Sequence, residues 1–220
     1  MRSDWLLPAL SEEERRELLS HARRRRFTRG QVIFHEDDPG DTLHLIAKGH
    51  VAVRITTELG DTLTFTVLGP GDCVGELSIL AEGSRRTATV SALDPVETVS
   101  LQRQQVLELR NANAAVDRVL VDVLANQVRR LSEHLVEALH VPVERRVVRR
   151  LEALCELFSS TGTPGTCVVP ITQDDLADLA GTTRPTTNRV LKTLEADGVV
   201  ALRRGRLEVV DLEELRRRGR

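Results

Sequence analysis

Residues 73–90 read Cys-Val-Gly-Glu-Leu-Ser-Ile-Leu-Ala-Glu-Gly-Ser-Arg-Arg-Thr-Ala-Thr-Val and bring a glycine, a carboxylate and an arginine into one short loop. Gly75 has no Cβ, so the backbone can pass close to a ligand at this position. The turn that opens at Glu76 would direct several free N–H groups to one point, as helix N-termini and backbone nests do for anions. Arg86 can form a two-pronged, charge-assisted contact with a phosphate, and Thr87 adds a hydroxyl donor. The carboxylate of Glu76 remains as an acceptor for a sugar hydroxyl, so the stretch predicts a binding site for a sugar phosphate.

The composition limits the class of protein. The 220 residues suffice for one large domain or two modest ones, and the apolar fraction of 40% supports packed cores. A net charge of −2 excludes a uniformly basic protein but still allows a local basic face that binds nucleic acid. Cys73, Cys155 and Cys167 form no metal-binding pattern, so we expect buried structural thiols and no metal site. The N-terminus has no apolar run long enough for a signal peptide or membrane span, and we therefore expect a cytoplasmic protein.

Around the loop, from about residue 27 to 101, short apolar stretches alternate with glycine turns. Turn signals at such close and regular spacing are typical of an antiparallel sandwich or barrel. In front of it we predict a short helix over residues 9–22, and we interpret the cations Arg23–Arg26 as the solvated end of that helix. The first strands are predicted at residues 32–34, 42–46, 50–55 and 62–67.

A long helix is predicted from about Ala115 to His140, after a small helix over residues 102–110. Apolar residues recur along it in alternating steps of three and four, the heptad pattern of a helix that packs against an identical helix. An amphipathic helix packed on its own domain is the alternative, but length and strict alternation favour dimerisation. Pro142 ends the helix. The predicted dimer seam consists of Val121, Leu124, Val128, Leu131, Leu135 and Ala138.

The last third of the chain predicts a helix-turn-helix followed by a two-stranded wing. Thr172 is expected to cap a first helix that runs to Gly181, and Thr183 a second helix that runs from Arg184 to Asp197. The second helix carries short hydroxyls and arginines, which suit phosphates and guanine edges in a major groove. A small packing module with a polar surface is the alternative, and the cations of helix and wing favour DNA. The predicted DNA-contacting residues are Thr172, Thr182, Thr183, Arg184, Thr186, Thr187, Asn188, Arg189 and Arg204.

Two of these stretches resemble those of a known family. Residues 73–90 are similar to the phosphate-binding cassette of cyclic-nucleotide-binding domains. Residues 171–192 (Ile-Thr-Gln-Asp-Asp-Leu-Ala-Asp-Leu-Ala-Gly-Thr-Thr-Arg-Pro-Thr-Thr-Asn-Arg-Val-Leu-Lys) resemble the DNA-binding signature of the bacterial catabolite-activator and fumarate/nitrate-regulator superfamily of transcription factors. With the long helix between them, the resemblance covers nearly the whole chain. It implies an α+β fold with an N-terminal antiparallel β-roll that binds a cyclic nucleotide (residues 1–114), a dimerisation helix (115–140) and a C-terminal winged helix-turn-helix (141–220).

The resemblance implies a homodimeric transcription regulator, and not an enzyme, that binds cAMP as an allosteric effector and then a palindromic DNA site. It also implies RNA polymerase as a partner. Three alternatives stay open: a response to cGMP or another effector, a regulator that acts without ligand, and a regulatory subunit that binds no DNA. The cGMP alternative arises because Arg86-Thr87-Ala88 resembles cassettes of cGMP-dependent kinases. Pro185 stands where the family's activator has a base-reading glutamate, so the DNA target does not transfer. The residues implied for cyclic-nucleotide binding are Gly75, Glu76, Leu77, Ser78, Arg86, Thr87 and His134.

Overall fold

The computed structural model describes residues 12–13, 22–81, 83–158 and 165–220. The chain divides into two compact units, one formed by residues 1–62 and 67–130 and the other by residues 63–66 and 131–220. The division falls inside the long helix. The short helix predicted over residues 9–22 lies almost entirely outside the described residues.

The N-terminal part folds into two four-stranded sheets, whose strands pair antiparallel wherever their register is defined. The strands are β1 (Arg23–Phe27), β2 (Val32–Phe34), β3 (Thr42–Lys48), β4 (Val51–Thr56), β5 (Thr62–Leu68), β6 (Cys73–Val74), β7 (Thr89–Ala92) and β8 (Val96–Gln102). One sheet has the order β1-β8-β3-β6 and the other β2-β7-β4-β5. The predicted antiparallel β domain is therefore confirmed.

One of the predicted features in this region was wrong. The arginines Arg23–Arg26 form strand β1 and not the end of a helix, and they pair with β8 from Arg23 opposite Ser100 to Phe27 opposite Val96. All four arginine side chains are exposed, so only their predicted solvation is correct. The edge of the sheet offers backbone partners to this segment, and this tertiary pairing outweighs its local helix propensity.

Two apolar clusters stabilise the β domain. The first draws residues from both sheets and so lies between them: Phe27, Ile46, Val51, Leu68, Val74, Val90, Ala92 and Val96. The second joins the outer face of the β1-β8-β3-β6 sheet to three helices, α1 (Glu76–Leu80), α2 (Arg103–Ala112) and the start of α3 (Ala114–His140). Because α1 and α3 share this second cluster, the loop that follows β6 is packed against the long helix.

The long helix α3 confirms the predicted element within one residue at its start. Its first turns bury Val116, Val119 and Leu120 in the second cluster. Farther along, four of the predicted seam residues are 47% to 62% exposed, whereas Leu124 is half-buried and Ala138 is exposed. A helix that presents a row of exposed apolar residues is typical of an interaction surface. The dimer seam itself stays a prediction.

The C-terminal part contains α4 (Val143–Phe158), β9 (Cys167–Val169), α5 (Gln173–Leu179), α6 (Arg184–Ala196), β10 (Val200–Arg203), β11 (Arg206–Val209) and α7 (Leu212–Gly219). The strands form a sheet of order β10-β11-β9, and the predicted helix-turn-helix with a wing is confirmed. Helix α7 was not predicted. The Asp211 side chain caps it by accepting a hydrogen bond from Glu214 N at 2.9 Å, and Leu215 is buried. Within the described ranges, no helix combines the length and the apolar character needed to cross a membrane.

Candidate functional site

Gly75 links strand β6 to helix α1 in a backbone conformation that requires glycine. Its φ of +88° lies in the left-handed region. A Cβ at this position would lie 2.2 Å from Arg86 Nη1 and 2.7 Å from the carbonyl oxygen of Thr42. Both distances are far shorter than a van der Waals contact, so the missing side chain is what lets Arg86 approach the turn.

The Arg86 side chain lies inside this turn, where the residue is only 3% exposed. Its Nη1 donates to Ser78 Oγ at 2.8 Å and to Gly75 O at 3.3 Å, and its Nη2 donates to Thr42 Oγ1 at 2.7 Å. The Cζ atom lies 4.2 Å from the ring centroid of Phe34, a cation–π contact. Burial lowers the pKa of Arg86, and the nearby carboxylates of Asp41, Asp38 and Glu76 oppose that shift. A guanidinium remains protonated at neutral pH, so the loop holds a fixed positive charge.

One nitrogen of this guanidinium makes no hydrogen bond to any described residue. Within the part of the chain that the structure describes, Arg86 Nε is buried and has no hydrogen-bond partner. A buried donor without a partner costs about 1–3 kcal/mol, and more in a charged group. An anion placed against Nε would remove that cost and compensate the buried charge. The donor set therefore fits a phosphate.

The backbone that carries Arg86 is held by the segment before β3. Asp37 N donates to Arg86 O and Arg86 N donates to Asp38 O, both at 2.9 Å. Gly40 continues this segment, and a Cβ there would lie 2.2 Å from Ser78 Cβ. Sequence reasoning used Gly40 only as a turn signal, although the close approach to Ser78 makes it part of the site.

The remaining residues predicted for the ligand differ in their environment. Glu76 is buried, and its Oε1 accepts a hydrogen bond from Gln127 Nε2 of α3 at 2.7 Å. Ser78 is buried and donates to Gly75 O at 2.9 Å. Leu77 and Thr87 are exposed. The structure thus brings Gly75, Ser78 and Arg86 into direct contact, whereas His134 belongs to the second unit and its contact with a base stays a prediction.

Sequence reasoning missed Phe34, Thr42 and Gln127 as neighbours of this site. Each lies more than 40 positions away from the residue that it contacts: Phe34 and Thr42 touch Arg86, and Gln127 touches Glu76. Local spacing carries no signal for such contacts, because they depend on how strands and helices pair.

In the second unit, α5 and α6 form the predicted helix-turn-helix around Gly181, whose φ is +59°. Thr172 begins α5 as a capping box. Its Oγ1 accepts from Asp175 N at 3.1 Å, and Asp175 Oδ2 accepts from Thr172 N at 2.8 Å. Because the Thr172 hydroxyl also donates to Asp175 Oδ2 at 2.7 Å, this predicted DNA contact has a structural role of its own.

Helix α6 presents two exposed arginines. Arg184 Nη1 lies 3.4 Å from Asp174 Oδ2, and Arg189 Nη2 lies 3.7 Å from Glu144 Oε1. All four side chains of these ion pairs are more than half exposed. Such pairs are worth about 0–1 kcal/mol and separate readily. Asn188 is held more firmly, because its Nδ2 donates to Gln173 Oε1 of α5 at 2.8 Å. Both arginines are thus available to a polyanion.

Among the other predicted DNA contacts, Thr183 and Thr186 lie with their hydroxyl oxygens 3.2 Å apart. Thr183 is exposed, Thr182 and Thr186 are half-buried, and Arg204 is exposed at the tip of the wing.

Thr187 departs from the expectation. It is 0% exposed, and its Oγ1 has no hydrogen-bond partner within the described residues. The residue shares the buried face of α6 with Leu191 and Leu194, four and seven positions farther on. Because this face points into the core of the second unit, we leave Thr187 out of the DNA-contacting set.

The described residues contain no group of three or more His, Cys, Asp or Glu residues that could hold a metal ion. Cys73, Cys155 and Cys167 are buried free thiols, as expected. Burial, followed by the charges of Glu76 and Asp72, raises the pKa of the Cys73 thiol.

Comparison with known proteins agrees with this geometry. The model of the cyclic nucleotide-binding domain matches residues 24–113, and the model of the Crp-like helix-turn-helix domain matches residues 145–218. The chain is 36% identical to the cyclic AMP receptor protein of Thermus thermophilus, over 98% of either protein. It is 31% identical to the CRP-like cAMP-activated global transcriptional regulator of Mycobacterium tuberculosis, over 88% of this chain and 87% of that protein. Among solved structures, it is similar to the Thermus thermophilus catabolite activator protein, with a TM-score of 0.55, 32% identity and 98% of both chains covered.

Proposed function

The chain belongs to the CRP/FNR family of DNA-binding transcription regulators with a cyclic-nucleotide-binding domain, and on that premise we propose that it is a homodimer that binds cAMP and then a palindromic DNA site. Members of this family are transcription factors and not enzymes. The observation that carries the ligand part of the proposal is the buried guanidinium of Arg86, whose Nε has no partner within the described residues.

In this proposal the cyclic phosphate lies against Arg86 and the first turn of α1. Arg86 Nε donates to a phosphate oxygen in a charge-assisted hydrogen bond, and the amides that follow Gly75 add further donors. The second oxygen of the Glu76 carboxylate accepts from a ribose hydroxyl, while Gln127 holds the first. Leu77, Ser78 and Thr87 complete the ligand-binding set, and His134 is proposed to face the base.

The choice of cAMP rests on the relatives, two of which carry cyclic AMP or cAMP in their names at 36% and 31% identity. Thr87 is exposed beside the buried Arg86, where its hydroxyl could contact a guanine. A response to cGMP is therefore an outcome that the binding experiment must separate from a response to cAMP.

For DNA we propose that α6 enters the major groove and that the wing contacts the backbone. Arg184 and Arg189 contact guanine edges or phosphates with their exposed guanidinium groups. Thr172, Thr182, Thr183, Thr186, Asn188 and Arg204 complete the proposed DNA-contacting set. Dimerisation along α3 supplies the second copy of this surface, and RNA polymerase is the further partner proposed for the DNA-bound dimer.

The ligand part is tested by calorimetric titration of the full-length protein with cAMP and, separately, with cGMP. We expect micromolar or tighter binding of cAMP, no binding by Arg86→Leu, and normal binding by Arg85→Leu. Arg85 is the matched control, because it is an exposed arginine of the same loop whose Nη1 donates to Asp37 O at 2.6 Å. Normal binding by Arg86→Leu would contradict the proposed site. If the wild-type protein bound neither nucleotide, a regulator that acts without ligand would replace the proposal.

The DNA part is tested by selecting binding sites from a random duplex library and then measuring single-base variants of the selected site. Arg184→Ala or Arg189→Ala should cost about 1–3 kcal/mol at one base pair of each half-site. Arg216→Ala removes an arginine that contacts Glu152 and Glu156 of α4, and it serves as the control with little expected effect. A uniform loss across all sequences would mean that Arg184 and Arg189 contact phosphates only.

A further inference from the structure

Thr42 of strand β3 contacts a different nitrogen of the buried guanidinium than Ser78 does. Arg86 Nη2 donates to Thr42 Oγ1 at 2.7 Å, whereas Nη1 donates to Ser78 Oγ at 2.8 Å. A guanidinium has only donors, so the Thr42 hydroxyl must accept this hydrogen bond. Its own proton is then available for a second partner.

The second partner is the imidazole of His44, two residues farther along β3. Its Nε2 lies 3.4 Å from Thr42 Oγ1, and its Nδ1 lies 3.2 Å from Thr98 Oγ1. Burial, followed by the positive charges of Arg86 and Arg25, lowers the pKa of His44 to about 4. A neutral imidazole has one donor nitrogen and one acceptor nitrogen.

The hydrogen-bond directions are assigned so that the Thr42 proton has a partner within this group of residues. The hydroxyl oxygen of Thr42 accepts from the guanidinium with one lone pair, and we assign its single proton to His44 Nε2, which lies 3.4 Å away. With this assignment, His44 carries its proton on Nδ1 and donates it to Thr98 Oγ1 at 3.2 Å. This arrangement pairs both ring nitrogens of a side chain that is 1% exposed, as buried polar groups require.

Phe34 restrains the face of the same guanidinium. Its ring centroid lies 4.2 Å from Arg86 Cζ and 6.0 Å from the centroid of the His44 ring. The aromatic face and the Thr42 hydroxyl thus restrict both tilt and in-plane rotation of the Arg86 side chain. His44 contacts both of these residues, Phe34 through its ring and Thr42 through Nε2.

We propose that Thr42 is a positioning residue for phosphate recognition, whose hydroxyl, oriented by His44, holds the Arg86 guanidinium so that its Nε–H remains for the ligand. The inference rests on the proposed function, because Arg86 must be the group that binds the cyclic phosphate. Holding the guanidinium in place before the ligand arrives lowers the entropy lost on binding. Thr42 acts on affinity through Arg86 and needs no contact with the nucleotide.

The test compares Thr42→Val and Thr42→Ser in the full-length protein by calorimetric titration with cAMP. Valine preserves the branched shape without the hydroxyl, and loss of a hydrogen bond to a charged group should weaken cAMP binding about tenfold. Serine retains the hydroxyl and should restore binding to near the wild-type level. The thermal unfolding midpoint of each variant shows whether the fold is preserved.

A spectroscopic measurement separates positioning from general support of the fold. The ¹⁵N chemical shifts of the His44 ring should report a proton on Nδ1 in the wild-type protein. In Thr42→Val the Nε2 resonance should move, because that nitrogen loses its donor, whereas Thr42→Ser should leave it in place. A wild-type His44 that carries its proton on Nε2 would refute the role given to this side chain.

The failures of the two proposals are distinguishable. If the wild-type protein binds cAMP and Arg86→Leu does not, but Thr42→Val binds like the wild type, the positioning role is refuted and the proposed function stands. Equal weakening by Thr42→Val and Thr42→Ser would also refute it, because the hydroxyl would then not be the cause. Binding of cAMP by Arg86→Leu would overturn both proposals.

Discussion

Replacing Gly75 by alanine tests how closely Arg86 approaches the turn, and Gly83 of the same loop is a matched control. Both glycines have a positive φ, +88° at Gly75 and +67° at Gly83. A Cβ at Gly83 would meet no atom within 4 Å, whereas a Cβ at Gly75 would lie 2.2 Å from Arg86 Nη1. The two substitutions therefore share a backbone cost and differ in steric overlap.

The magnitudes follow from these distances. An alanine in the left-handed region costs about 1–2 kcal/mol, which is the whole effect expected for Gly83→Ala. In Gly75→Ala, Nη1 must also move from 2.2 Å to at least 3.4 Å, a displacement of 1.2 Å that breaks its hydrogen bond to Ser78 Oγ. Overlap of this kind adds about 1–3 kcal/mol of destabilisation. The displaced guanidinium should weaken cAMP binding by about 10- to 100-fold, as expected for the loss of a charge-assisted hydrogen bond.

Thermal unfolding followed by circular dichroism and calorimetric titration with cAMP measure the two effects separately. We expect both variants to unfold at a lower temperature than the wild type and only Gly75→Ala to lose affinity for cAMP. Equal affinities of Gly75→Ala and Gly83→Ala for cAMP would refute the reasoning, because the close approach of Arg86 would then have no consequence for the ligand.

Three further predictions concern other parts of the chain. Thr187→Val removes a buried hydroxyl without a partner among the described residues, so it should raise the free energy of unfolding in denaturant by about 1 kcal/mol and leave DNA affinity unchanged. Thr186→Val, the control, should weaken DNA binding. A loss of DNA affinity in Thr187→Val would contradict the buried placement of Thr187. The pKa of His44 lies near 4 in the folded protein against 6.5 in the unfolded chain, so stability that is fully present above pH 6.5 should decline as the pH falls toward 4. This decline should disappear in His44→Gln. An equal loss of unfolding free energy between pH 7.5 and pH 5 in the wild type and in His44→Gln would contradict the prediction. Leu135→Asp places a charge in the predicted seam and should give monomers in sedimentation, whereas Asn126→Asp, an exposed position off the seam, should remain dimeric.

Most of the architecture was predictable because it depends on local sequence patterns, namely turn residues and apolar periodicity. Glycine turns at regular spacing predicted an antiparallel β domain, the family resemblance implied that it is a β-roll, and α3 was predicted to within one residue at its start. The predictions failed for segments whose secondary structure depends on tertiary contacts. The arginines Arg23–Arg26 form a strand because β8 offers them partners, and α7 was missed because its only fully buried apolar side chain, Leu215, is isolated among charges in the sequence.

The candidate site divides in the same way. Sequence alone determined that Gly75, Glu76 and Arg86 share one loop, since a contact across 11 positions is set by the loop itself. Only the tertiary structure decided that Thr42 and Phe34 hold the guanidinium and that Thr187 points into the core. Local sequence determines backbone conformation and apolar periodicity, whereas the neighbours of a side chain across a sheet depend on strand order and register. Strand order and register are properties of the packed molecule, because the chain adopts those that bury the apolar faces of sheets and helices in common clusters.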